Sequence, residues 1–331
     1  MSADKHKVRI GIVGVGHLGR RHLEHALRLK GAECTGFFDI DPDRAVLIEQ
    51  ETRAIRHDSL SSLLQNTDIV SIVVPTVEHF PVAQTCIEAG QHVFIEKPMC
   101  KTVEEADTLL DLAARQGVQI HVGHIERLNP ALVALDGVNL TPRYIETHRL
   151  APYNVRGTDV PVVLDLMIHD LDVIISLVRS KVRTVDASGV SIMTQSVDIA
   201  NARIAFDNGC VANITSSRIA KDYVRKLRLF QQDMYVTIDF YRGLTEVYRL
   251  LSAEEKDPEA VFTAPLTTGG MNRQIVYETP PVKKVDALKM ELENFVSSAE
   301  GRSSPIVSGL EGREALAVAL QIQHKIEQTL H

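Results

Sequence analysis

The 331-residue sequence contains no tryptophan, and aromatic side chains make up only 5% of it. Cysteine is scarce too: four residues, at 34, 86, 100 and 210, form neither a Cys-x-x-Cys pair nor a disulfide framework. This argues against a stapled secreted scaffold and against a thiolate zinc site, and it fits free thiols in a reducing cytoplasm. No apolar run reaches the 18 or so residues of a membrane span. A signal peptide is not expected either, because the first seven residues are polar and charged and the apolar stretch 8–13 is broken by Arg9 and Gly11. Lys and Arg form no run, and a formal charge of -7 speaks against nucleic acid or a membrane surface as partner. Repeats and low-complexity segments are absent. What remains is an ordinary globular composition, 44% hydrophobic and 24% charged, long enough for two cores.

Up to about residue 123 short β-branched runs (8–13, 34–38, 69–74, 93–95, 118–122) alternate with helical segments (17–29, 42–51, 79–89, 103–116). In the last helix Val103, Ala106, Leu109, Leu110 and Ala113 recur at helical spacing, and Gly117 supplies the stop. Strand and helix in alternation predict a doubly wound α/β fold with a parallel sheet. Beyond 123 the texture changes. A helix near 161–178 precedes runs at 183–193, 198–206, 210–217, 225–230, 234–240 and 245–250 with no helices between them, so a large, mostly antiparallel open sheet is expected in an α+β domain. The segment 252–273, with Pro258, Pro265 and Gly269-Gly270 and no clear period, reads as a long loop, a lid or contact arm. Helices at 285–300 and 309–330 close the chain. The expected domains are therefore 1–123 and 124–331.

The first strand runs into Gly14-x-Gly16-x-x-Gly19, which opens a helix. Glycines there let the backbone turn tightly and approach a pyrophosphate held at the helix N-terminus. Such a triplet alone is weak evidence, but Asp39 closes the second strand twenty residues after Gly19, where a carboxylate accepts from ribose hydroxyls. The same carboxylate would repel a 2′-phosphate, and Phe38, Ile40 and Asp41 offer no Arg to receive one, so NAD is expected rather than NADP. His17, His22 and His25 find no thiolate or carboxylate to complete a metal site, and a solvated helix face is the expectation. No metal is expected.

Asp165 and His169 lie four apart, with Asp172 three further on, so all three share one face if the run is a helix. A carboxylate one turn before an imidazole can orient the ring and stabilise its protonated form, as a general base requires. An amphipathic helix with a wet polar face explains the same spacing. Oxidising a secondary alcohol needs a base for the hydroxyl proton and gains from a cation near the oxygen. Lys97, at the end of the 93–95 run, stands where ligands gather in a doubly wound sheet, although a surface lysine before a loop proline reads equally well in isolation.

Three further stretches, Val74-Pro-Thr-Val-Glu-His79, Ala89-Gly-Gln-His-Val-Phe-Ile-Glu-Lys-Pro98 and Asp165-x-x-x-His169, resemble in order and spacing the glucose-fructose oxidoreductase/inositol dehydrogenase (Gfo/Idh/MocA) family. The resemblance implies an N-terminal Rossmann domain binding NAD(P), a C-terminal open-sheet domain, and a substrate held over the nicotinamide. It implies that Lys97 contacts the reacting hydroxyl, that His169 is the acid/base and that Asp165 is the adjoining carboxylate. Cofactor contacts are implied for Gly14, Gly16, His17, Leu18, Gly19, Asp39, Pro75, Thr76, His79, Glu96 and Lys97. Val122-Gly-His-Ile-Glu-Arg-Leu-Asn-Pro130, Gly157-Thr-Asp-Val160 and 164–172 look like the members that oxidise the 3-hydroxyl of UDP-N-acetylglucosamine, which implies a nucleotide-sugar substrate.

Candidates to touch that substrate are His124, Arg127, Arg149, Tyr153, Asn154 and Arg156. A basic and aromatic cluster suits a diphosphate or sugar, yet Arg127 could equally brace the junction against an acid, and the others could serve in caps or surface pairs. Relatives often pair through the exposed face of the C-terminal sheet, so a homodimer or homotetramer is implied. The expected activity is that of an NAD-dependent CH–OH dehydrogenase acting on a sugar, with a free-sugar or inositol dehydrogenase, or a non-catalytic NAD-binding sensor, as alternatives.

Overall fold

The buried β-branched runs of the N-terminal third pair into a parallel sheet, while the helices between them cover its two faces. The computed structural model describes residues 7–154, 160–255, 257–268 and 271–329. Two compact units emerge, Met1–Ile125 with Asp286–Ala317, and Glu126–Val285 with Val318–His331. In the first, β1 (Val8–Val13), α1 (His17–Ala26), β2 (Ala32–Phe38), α2 (Pro42–Thr52), α3 (Leu60–Leu64), β3 (Ile69–Ile72), α4 (His79–Glu88), β4 (His92–Glu96), α5 (Val103–Gln116) and β5 (Ile120–Gly123) follow in turn. The strand order is β2-β1-β3-β4-β5, every pair parallel. The chain leaves β1 toward one edge and returns past it to β3. The carboxyl ends of β1 and β3 therefore part into a crevice, the place where this topology binds ligands.

The second unit contains α6 (Pro130–Val133), β6 (Tyr144–Leu150), a π-helical turn over Val163–Met167 that leads into α7 (Ile168–Val178), and β7 (Val182–Val190), β8 (Ile199–Phe206), β9 (Val211–Ser217), β10 (Val224–Gln231), β11 (Met234–Asp239), β12 (Leu244–Ser252), β13 (Phe262–Thr268) and β14 (Met271–Glu278). These form a nine-stranded sheet, antiparallel apart from the β6–β9 pair. In β6 Ile145, Thr147 and Arg149 are buried, whereas Tyr144, Glu146 and His148 alternate with them on the opposite face. The apolar residues of α7 bury against β6, and the π turn packs on β9.

The opposite face carries an aromatic ladder. Tyr144, Phe230, Tyr235, Tyr248 and Tyr277, on five neighbouring strands, stand 4.6–5.8 Å apart ring to ring. None of these five is buried.

Three features differ from the sequence expectation. The segment 252–273 is not a structureless arm, since β13 and β14 pair from Phe262 with Tyr277 to Thr268 with Met271 at the sheet edge. An edge strand is wet on more than one side, which erases the alternation that marks a strand, and it tolerates Pro265. The strand β6 has a regular in-out alternation, but its inward positions include Thr147 and Arg149, so polarity hides it. Finally α8 (Ala287–Ala299) belongs to the first unit, where Leu292, Phe295 and Val296 join the core around Ile10, Ile12, Phe37 and Phe94. Phe295 lies 5.9 Å from Phe94 and 4.8 Å from the ring of His121. The last helix, α9 (Gly309–Glu327), contributes its first turns to the first unit and its last to the second. No helix among the described residues is long and apolar enough to cross a membrane.

Candidate active site

A cavity of about 770 Å³ opens at the switch point of the parallel sheet, lined by the ends of β1, β2 and β3, the start of α1, and Glu96 and Lys97 at the end of β4. Every residue that the sequence assigns to the cofactor lines this cavity. The three glycines serve different ends. Gly14 adopts φ +83°, and a Cβ there would lie 2.6 Å from the carbonyl oxygen of Val73. At Gly19 a Cβ would come within 2.0 Å of the Gly14 carbonyl oxygen, so this glycine seats α1 against the turn. Gly16 has an ordinary φ of -62°, and nothing stands within 4 Å of where its Cβ would be. Packing does not require a glycine at 16; a ligand lying against the backbone would. No side chain caps α1, and its first turn carries no acidic residue, which leaves its positive end facing the cavity.

Asp39 is buried at the cavity wall. Its Oδ2 accepts the Val15 N–H at 2.7 Å and its Oδ1 the Asp41 N–H at 2.9 Å, which fixes the carboxylate beside the glycine turn. Arg44 also reaches it, donating at 3.1 and 3.3 Å while pairing with Asp41 at 2.8 Å. The immediate neighbours of Asp39 offer no arginine, but the first turn of α2, capped by Asp41, brings one back in space. Its signal in the sequence is the Asp41-x-x-Arg44 spacing. Two carboxylates engage that guanidinium. The residues present fit a dinucleotide: an open glycine cradle, an uncapped helix end and a fixed carboxylate are together the recognition set for NAD.

The remaining cavity wall is pinned by histidines. His79 is buried, with Nδ1 2.9 Å from the Pro98 carbonyl and Nε2 2.9 Å from the Val74 carbonyl. Burial lowers its pKa, against the pull of those carbonyls. His22, expected on a wet face with His17 and His25, is instead fully buried. Its Nδ1 meets Ser71 Oγ at 2.9 Å and its Nε2 meets Glu96 Oε1 at 3.1 Å. Of the other two, His17 is exposed and His25 lies 3.6 Å from Asp286.

In the second unit Asp165 lies in the π-helical turn and His169 in the first turn of α7, both half-buried. A π turn is a common local distortion at functional positions. Asp172 does not belong with them, because its carboxylate receives Arg127 in a bidentate pair at 2.7 and 2.9 Å. Arg149 is committed in the same way. It is 3% exposed and donates to Asp170 at 3.1 and 2.8 Å and to Glu126 at 3.0 Å. Burial pushes the Asp170 carboxyl up, against the guanidinium beside it. Both arginines thus brace the second unit rather than present free forks to a ligand. His124 is buried at the end of β5, and Tyr153 and Asn154 are exposed. Arg156 and the Gly157-Thr-Asp stretch lie outside the described residues.

A family described as oxidoreductases with an NAD-binding Rossmann fold matches residues 8–124, and its C-terminal domain matches residues 145–237. The chain belongs to the Gfo/Idh/MocA family. It is an NAD-dependent oxidoreductase of the CH–OH dehydrogenase type, as the sequence motifs imply. Among Gfo/Idh/MocA proteins it is similar to a UDP-N-acetylglucosamine 3-dehydrogenase of Acidithiobacillus ferrooxidans, 36% identical over 324 residues and 98% of each chain. A solved structure of that description matches with a TM-score of 0.88 and 34% identity over 98% of this chain and 100% of the other. A myo-inositol 2-dehydrogenase of Thermotoga maritima is 22% identical over 97% of each chain.

Proposed function

We propose that the protein oxidises the 3-hydroxyl of UDP-N-acetylglucosamine or a closely similar nucleotide sugar, with NAD as acceptor. The observation that carries this reading is the full-length likeness to a dehydrogenase of that description, at 36% identity over 98% of both chains. The substrate lies against the second domain, 124–331, with Asp286–Ala317 counted with the cofactor domain because it packs there. Bound NAD supplies the hydride acceptor. The chain supplies the rest. The His169 imidazole takes the hydroxyl proton as hydride leaves the same carbon, Asp165 orients and stabilises the protonated ring, and the Lys97 ammonium steadies charge on the oxygen.

Tyr153, Asn154 and Arg156 are the substrate contacts we favour, with His124 beside the cofactor. The reading implies a cytoplasmic enzyme, and a homodimer or homotetramer joined through the aromatic face of the nine-stranded sheet. Purified protein given NAD and UDP-N-acetylglucosamine should produce NADH fluorescence. His169→Ala should abolish turnover by about 10² to 10⁴-fold, the usual worth of a general base, and leave NADH binding intact. Silence with this and other sugars alongside tight NAD binding would favour a sensor, and turnover of inositol alone a cyclitol dehydrogenase.

A further inference from the structure

Two buried imidazoles hold the residues on either side of Lys97. His22 comes from α1 and His79 from α4, and they are 0% and 1% exposed. The Glu96 carboxylate can only accept, so His22 Nε2 carries the proton toward it, and the Ser71 hydroxyl donates to Nδ1. The other oxygen of Glu96 accepts the Lys97 backbone N–H at 3.3 Å. Room for this carboxylate is left by Gly123 on β5, where a Cβ would stand 2.9 Å from it. On the far side of Lys97, His79 stands with Nδ1 2.9 Å from the Pro98 carbonyl and Nε2 2.9 Å from the Val74 carbonyl at the exit of β3, and the single N–H of the neutral ring, placed on Nδ1, donates to Pro98. Glu96, Lys97, Val74 and His79 all line the cofactor cavity.

Both helices pack on this sheet with apolar neighbours such as Leu23, Ala26, Ala83 and Ile87, so leucine would satisfy packing at either position. A buried imidazole is costly unless its hydrogen bonds repay the lost hydration. Here the bonds of both rings converge on the two neighbours of one lysine. We propose that His22 and His79 are positioning residues that hold Lys97 at the cavity wall: His22 through Glu96, and His79 through Pro98.

This rests on the role given to Lys97 above, and the experiment separates the two. His22→Gln extends an amide to the place of Nε2 and can still reach Glu96. His22→Asn replaces only the Nδ1 side and bonds Ser71 alone. In the NAD-free protein, hydrogen exchange over residues 93–100 should quicken by roughly tenfold in His22→Asn, since the Lys97 amide loses its fixed acceptor, and change little in His22→Gln. With NAD and UDP-N-acetylglucosamine, kcat should fall by roughly 10- to 100-fold in His22→Asn while KM for NAD moves by less than about threefold, the signature of a misplaced group rather than a lost binding contact. His22→Gln should recover most of it. His79→Leu, with exchange read over the same peptide, gives a second route if His22→Asn does not fold. Parent-like exchange and kcat in folded His22→Asn or His79→Leu overturns the brace. Lys97→Met is the gauge of the underlying role: if it alone collapses turnover, only the brace has failed, and if it turns over normally the lysine assignment has failed with it.

Discussion

Alanine placed at two glycines three residues apart should have opposite consequences, because one glycine serves the fold and the other serves the ligand. At Gly19 the new Cβ would sit 2.0 Å from the Gly14 carbonyl oxygen. Restoring an ordinary contact needs a retreat of about 1 Å between α1 and the turn, which in a packed interior costs about 1–3 kcal/mol. For a unit of this size that lowers Tm by roughly 2–10 °C. At Gly16 nothing lies within 4 Å, and φ is -62°. Alanine there reduces unfolded-chain freedom, worth about 0.4–1 kcal/mol, and loses a similar amount as a poorer N-cap. The net change in Tm should be within about 2 °C.

Binding reverses the order of severity. A methyl in the open cradle holds the pyrophosphate off the α1 N–H groups, and losing one or two charge-assisted hydrogen bonds at about 1.5–3 kcal/mol each weakens NAD by roughly 10- to 10⁴-fold. Thermal melts and titration of NADH emission, on a background without tryptophan, read both quantities. Parent-like NADH affinity in Gly16→Ala, or a loss of Tm equal to that of Gly19→Ala, would refute the division of labour.

Two further outcomes are expected. His121 is 3% exposed, and burial, followed by the charge of His92, lowers its pKa from 6.5 to about 4. The unfolded chain therefore binds its proton more tightly, so the contribution is fully present above pH 6.5 and is lost as pH falls toward 4. At 1.36 kcal/mol per unit this is about 3 kcal/mol, and the buried His79 shifts in the same direction. In denaturant melts the stability of the parent relative to His121→Leu should fall by about that amount between pH 7 and pH 4, whereas a pH-independent difference would remove His121 as the cause. Tyr235→Lys, in the middle of the aromatic ladder, should reduce a dimeric or tetrameric parent toward single chains of 36.7 kDa in light scattering. A parent that already runs as a single chain would end the proposal for that face.

Much of the nucleotide site is legible because it is local. The glycine triplet, Asp39 and the intervening helix lie within one βαβ unit, where spacing in sequence nearly is spacing in space. Arg44 shows the limit even there, since it is five residues from Asp39 and returns to it only because α2 turns back. The edge hairpin β13–β14 escapes detection because neither of its faces is consistently dry. His22 was the harder residue: three histidines on one amphipathic helix look alike until the helix is docked.

Composition and period by themselves determine that this chain alternates strand and helix into a doubly wound sheet, that a glycine turn follows β1, and that a carboxylate ends β2. These follow from backbone sterics and from the two-residue and 3.6-residue repeats, which any segment carries within itself. Tertiary structure alone decides that His22 meets Ser71 and Glu96, that Arg149 spends its donors on Asp170 and Glu126, and that α8 completes the core of the first unit. A polar side chain's role depends on what stands opposite it once water is excluded, and that partner lies 21 to 74 residues away in these cases.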